Sequence, residues 1–249
     1  MNHWGRIFFH YENGRFAGVK GQPLANHVGN CHDLLAAFDD RYFDPTTKDR
    51  LMRAVALHDA GKTDTFRILA ETQEKPAGKG KQKGGGAGTA NGKLIYSFAG
   101  HRFRVPGDDP YVDALIRAHH EFSVERINQE RFALSGDARR RFADDLYLLC
   151  MADQIEAELA VKTVENKTGG LPRTFMEFVT ERLEDSDKAF TVLPWPFQAD
   201  EVSLVFDLRK PEPNPTEPDA EFLDRLFKNP DTEFQTERLS ITLRRTEWS

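Results

Sequence analysis

The run Ala56-Leu57-His58-Asp59-Ala60-Gly61-Lys62 holds the residues whose types and spacing most plainly suggest chemistry. An imidazole and a carboxylate on neighbouring positions can both reach one divalent cation, and the second carboxylate oxygen is free to bridge to another. Gly61 reads as a helix C-terminus, which puts the Lys62 ammonium just beyond it, where a phosphate can be met. A His-Asp pair on its own is an ordinary surface or capping pair, and the chain carries a second one at His32-Asp33. Gly61-Lys62-Thr63 imitates the end of a phosphate-binding loop, but that motif needs glycine at position 56 and the chain has Ala56.

Further ligands are therefore sought on the elements around this run. A helix beginning at Pro23 places Leu24, His27, Val28, Cys31, Leu34, Leu35 and Phe38 at three- and four-residue steps, so His27 shares its apolar face while His32 and Asp33 lie off it. After the turn Asp44-Pro45-Thr46-Thr47, the next helix carries Leu51, Ala54, Val55 and His58 on one face, with Asp59 beside it. Asp109-Pro110 opens another helix, on which Leu115, Ile116, His119, His120, Val124 and Ile127 fall in one inward sector. Two adjacent buried imidazoles need partners, and metal ligation satisfies both; one buried and one exposed His is the alternative. Ser135 can cap a long helix to about Val161, and Phe142, Leu146, Leu149 and Asp153 step along its apolar face. A carboxylate at Asp153 is costly there unless paired or coordinated, whereas Asp144 and Asp145 fall off that face and read as solvated. His101 follows Gly100 in a connecting segment, near Arg102 and Arg104.

At 249 residues, with 39% apolar and 30% charged side chains, the chain suits a soluble protein with a real core. No apolar run is long enough to span a membrane, and the N-terminus lacks signal-peptide character, so a cytoplasmic protein is expected. Cys31 and Cys150 both sit in apolar helical patterns and read as buried free thiols. A net charge of −6 excludes a passive nucleic-acid coat but not an enzyme whose carboxylates are neutralised by metal.

The rest of the chain is poorer in chemistry. Ile7-Phe8-Phe9-His10-Tyr11 reads as a strand or a packed arm. Residues 75–93 are basic and Gly-rich, either a disordered insertion or an electrostatic arm that gathers a polyanion. A helix is expected over 171–190, a turn at Pro194-Trp195-Pro196, a strand over Val202–Leu208, a stiff linker through Pro211, Pro213, Pro215 and Pro218, a short helix from Ala220 to Phe227, and a strand-like end at Leu239–Leu243. Residues 191–249 are expected to form a packing or docking appendage to a domain spanning residues 1–190.

The order His, His-Asp-x-Gly-Lys, His, His-His, Ala-Asp resembles the HD-domain metal-dependent phosphohydrolases. More closely it resembles the HD nuclease of type I CRISPR interference systems, the DNA-cutting part of the CRISPR nuclease–helicase. The likeness covers roughly residues 20–165 and rests on His58 to Lys62, the lone His101, the His119-His120 pair and Met151-Ala152-Asp153. The run Arg102-Phe103-Arg104-Val105-Pro106 after His101 departs from the small-residue helix often found there.

The resemblance implies a mainly α fold, an HD-domain helical bundle with a small α+β C-terminal appendage. It implies two divalent transition-metal ions, manganese, iron, nickel or cobalt, with magnesium as an alternative. His27, His58, Asp59 and Asp153 would hold the first, and Asp59 would bridge to a second held by His101, His119 and His120. Asp59 and Lys62 would be catalytic, with Lys62 close to the scissile phosphate. The basic loop, Arg102, Arg104 and Arg117 would feed a strand to the metals. The implied activity is endo- or exonucleolytic cleavage of single-stranded DNA by two-metal phosphodiester hydrolysis in CRISPR interference. No helicase motifs occur, so a separate helicase or the RNA-guided surveillance complex would supply single strands. The alternatives are an HD phosphohydrolase acting on nucleotides, whose simplest form needs one metal, and a catalytically degenerate HD binding module.

Overall fold

A computed structural model describes residues 3–62, 66–71, 93–98, 105, 109–165, 196–199 and 201–244. The expected turn at 194–196 and helix over 171–190 lie outside these, except for Pro196. So does all of the basic loop but Lys93.

The chain opens on a hairpin, β1 (Trp4–Glu12) and β2 (Arg15–Pro23), which settles the strand-or-arm alternative in favour of a strand. Asn13 and Gly14 both have positive φ, 50° and 77°, the two-residue turn whose twist matches a hairpin. Among the described residues six α-helices follow or interleave: α1 (Leu24–Ala36), α2 (Lys48–Leu57), α3 (Pro110–Ala118), α4 (Val124–Phe132), α5 (Gly136–Glu165) and α6 (Ala220–Lys228). Strands β3 (Phe66–Ala70) and β4 (Leu94–Phe98) pair with each other, and β5 (Glu201–Pro211) pairs along its whole length with β6 (Phe234–Arg244). No described helix is long and apolar enough to cross a membrane.

The expectation of a mainly α fold is wrong. Helices make up about 47% and strands about 29% of the described residues, an α+β fold. A four-stranded antiparallel sheet runs β1-β2-β5-β6, so strands from the two ends of the chain share one sheet. Single-strand alternation finds β5, whose buried residues Val202, Leu204, Phe206 and Leu208 recur at period two. It carries no information about the partner strand β2, whose Gly21 pairs with Arg209, 188 residues later. Leu204, Phe206, Leu208, Ile241 and Leu243 join Leu34, Leu51, Leu115, Phe142 and Leu149 in one core. The C-terminal strands thus build the floor on which α1 rests.

A second, smaller core gathers Trp4, Ile7, Val19, Phe66, Ile68, Leu223 and Phe227. Trp4 meets Phe227 and Phe234 edge-on at 5.0 Å each and donates its indole N–H to the Phe227 carbonyl at 2.9 Å. Gly21 is required against it, because a Cβ there would come within 2.5 Å of the Trp4 ring.

Side-chain caps start α3, α4 and α6. The Asp109 carboxylate accepts the Tyr111 N–H at 2.7 Å with Pro110 at the first helical position. The sector read as one helix through Ile127 is two. α3 stops at Ala118, and Ser123 starts α4 by accepting the Arg126 N–H, which turns Val124 to solvent. Asp145 corrects another expectation. It is buried, accepting the Tyr111 hydroxyl at 2.6 Å and facing Arg141 at 3.5 Å. Helical phase alone could not reveal a hydroxyl arriving from α3. Asp144 is exposed, as expected. Both cysteines are free; Cys31 is buried but Cys150 only half-buried.

Candidate metal centre

Four helices bring the site together: α1 supplies His27 from its first turn, the end of α2 supplies His58 and Asp59, the end of α3 supplies His119 and His120, and α5 supplies Asp153. His58 and His119 are held by the same local device. Each is the residue that closes its helix, and each points Nδ1 at the carbonyl three residues back, Val55 and Ile116, at 2.6 Å. A carbonyl only accepts, so Nδ1 carries the hydrogen and Nε2 presents its lone pair to the interior. Gly61 does not end the helix as expected; α2 stops at Leu57. His27 is held differently, by a buried carboxylate, with Nδ1 at 2.5 Å from Glu156 Oε2.

The inward nitrogens surround two carboxylates. Asp59 Oδ2 lies 3.1 Å from His27 Nε2 and 3.6 Å from His58 Nε2, while its Oδ1 lies 3.8 Å from His119 Nε2. Asp153 repeats this division. Its Oδ1 is 3.3 Å from His27 Nε2 and 3.9 Å from His58 Nε2, and its Oδ2 is 3.7 Å from His120 Nε2. The donors therefore form two halves, His27 with His58 and His119 with His120. Both Asp59 and Asp153 stand between them, where Asp59 alone was expected to bridge. The imidazoles of His27 and His58 are 5.4 Å apart between ring centres, and those of His58 and His119 are 5.2 Å apart.

Electrostatics keep Asp59, Asp153 and His58 in ligand form. Burial opposes charge on His27, but Glu156 foremost, with Asp153 and Asp59, outweighs burial and raises its imidazole well above the usual range, so an incoming cation must displace a proton from it. Burial opposes charge on Asp59, yet the His119, His27, His58 and Lys62 side chains hold its carboxyl well below the usual range. Asp153 is lowered in the same way, burial being outweighed by His27 and His58. Burial pushes His58 down to about 4, so it is neutral. Burial also pushes the Cys31 thiol up to about 11, so it stays protonated and makes a poor ligand although its sulfur is 3.9 Å from His27.

The residues present could hold a metal ion. His58 Nε2 is buried with no hydrogen-bond partner among the described residues, a costly state that a cation would relieve. Three overlapping groups, His27-Cys31-His58-Asp153, His58-Asp59-His119 and His119-His120-Asp153, each hold ligand atoms within 4.8 Å of one another. Mixed imidazole and carboxylate donors suit manganese, iron, cobalt, nickel or zinc.

The remaining expected site residues divide. Lys62 is buried, with its ammonium against Asp59 Oδ2 and 5.1 Å from the centre of the Phe98 ring. Arg117 is not a cation held out for a strand. Its guanidinium grips Glu130 at 3.0 and 2.5 Å and so clamps α3 to α4. His101, Arg102 and Arg104 lie outside the described residues. His32 and Asp33 are exposed, as their phase predicts.

One residue of the site escapes sequence reading. Glu156 is fully buried behind His27, accepts Gln22 at 2.6 Å and Asn30 at 3.2 Å, and faces Arg6 at 3.6 Å. Burial opposes its ionisation, but His27, Arg6 and Gln22 outweigh that and hold it below the ordinary range. A signal existed: Glu156 stands one helical step of three beyond Asp153 on the same face.

No family model matches this chain, and neither a curated protein nor a solved structure matches it.

Proposed function

We propose that this protein is a metal-dependent phosphodiesterase that cuts single-stranded DNA. The observation that carries the reading is the trio His27, His58 and His119 from three helices, each turned with Nε2 inward by a partner on Nδ1, which with His120 surrounds two carboxylates that each face both halves of the site. A pair of divalent cations there would activate water at neutral pH and stabilise both oxygens of an in-line displacement at phosphorus. His27 and His58 with Asp59 and Asp153 would hold one, and His119 and His120 with the same carboxylates the other. Lys62, buried with its ammonium against Asp59, would supply a positive charge to a phosphate oxygen bound at the cations.

The site is open on one side. His120 is 34% exposed while the other imidazoles are buried. Two residues on, Phe122 is 93% exposed, an aromatic face on which an unpaired base would stack. With a net charge of −6, attraction for a strand must be local, and the basic segment 75–93 with Arg102 and Arg104 is the proposed source. In this reading the strand is delivered by a separate helicase and an RNA-guided surveillance complex in CRISPR interference.

Purified protein with manganese, offered circular single-stranded DNA, duplex DNA and nucleoside phosphates, tests the proposal. Cutting of the circle supports it. Turnover of nucleoside phosphates alone replaces it with a nucleotide phosphohydrolase, and no activity with no retained metal replaces it with a binding module. Phe122→Ala is expected to raise KM for single-stranded DNA about tenfold, as loss of one stacked base would. Its hydrolysis of bis-(p-nitrophenyl) phosphate, which carries no base, should stay within about twofold by the same reasoning.

A further inference from the structure

We propose that Glu156 is a positioning residue of the metal centre, through which the N- and C-terminal strands hold the His27 ring in register for a cation. The inference rests on the metal reading above and adds a component to it. His27 lies in the first turn of α1, far from its C-terminal end, and lacks the carbonyl device that fixes His58 and His119 where their helices close. Its Nδ1 must find an acceptor elsewhere, and Glu156 Oε2 is that acceptor. Glu156 is not itself placed as a ligand. It meets the ring edge opposite Nε2, and it belongs to none of the residue groups able to hold an ion.

What surrounds Glu156 makes it a hub. Gln22 from β2 and Asn30 from α1 both donate to Oε1. Arg6 from β1 faces Oε2 and donates to the Ala157 carbonyl at 2.8 Å, which pins the same turn of α5. Asn30 also pairs with the backbone of β5, donating to the Val205 carbonyl at 2.9 Å and accepting the Val205 N–H at 3.1 Å. Both ends of the chain thus converge on the carboxylate that orients one ligand. Partners of this kind on a metal-binding imidazole fix its tautomer and orientation, and their loss typically lowers metal affinity about 10–100-fold.

Manganese titration of the full chain by calorimetry, alongside circular dichroism and thermal melting, decides the matter. In Glu156→Gln one ion should bind at least about tenfold more weakly while the other keeps its wild-type affinity. A second variant covers the case in which that chain does not fold. Gln22→Met removes a donor to the hub and a buried acceptor that has no hydrogen-bond partner among the described residues, and leaves the Glu156–His27 pair in place. It should weaken the same single ion about threefold, a fraction of the full effect. A folded Glu156→Gln chain that binds both ions normally, or weakens both equally, overturns the proposal. So does unchanged binding in Gln22→Met if Glu156→Gln fails to fold. Wild-type protein that binds no manganese is a different result, since it removes the metal reading itself.

Discussion

Asp59→Asn is expected to lower cleavage of circular single-stranded DNA by about 10³-fold or more, the upper range for losing a preorganised charge at a reacting centre. Asp59 sits within 4 Å of His27, His58, His119 and Lys62, so one side chain serves both halves of the site. The amide keeps its shape but has one oxygen, and it cannot face both halves as a carboxylate does. It also leaves the buried Lys62 ammonium without its anion, which costs stability as well as activity. The variant should therefore retain less manganese and melt earlier when metal-free. The second His-Asp pair is the control: Asp33→Asn, on the exposed face of α1, should cut the circle at the wild-type rate.

The second large effect concerns the fold. A chain ending before residue 201 is expected not to fold, because it loses Leu204, Phe206, Leu208, Ile241 and Leu243 from the main core. At about 1.5–3 kcal/mol for each buried side chain, the loss is about 10 kcal/mol, comparable with the whole stability of a domain. It also strips Asn30 of the Val205 backbone, and with it one support of Glu156. Circular dichroism and urea titration of the shortened chain check this. A cooperative, helical, manganese-binding product would show that the helices stand without the sheet.

These two results address what was and was not legible beforehand. His27, His58, His119 and Asp153 were readable because each continues the apolar phase of a helix, where an unpaired polar group is expensive, and Asp59 because it stands beside His58. His120 was readable by adjacency, and the structure leaves it half-exposed at the mouth. The sheet was not readable as a sheet. β2 meets β5 at Gly21 and Arg209, and pairing over such a separation leaves no mark in either strand's own alternation. The same blindness hid Glu156 and Asp145, whose partners come from other elements. Arg117 misled for the converse reason: a cation near the site on paper was already held by Glu130.

The number and place of bound cations decide whether this protein works through a metal pair. Crystals grown with manganese and measured at its absorption edge should show two anomalous peaks, one against His27 and His58, the other against His119 and His120, with Asp59 and Asp153 between. A protein that retains no manganese, or holds it only at surface carboxylates away from these imidazoles, contradicts it.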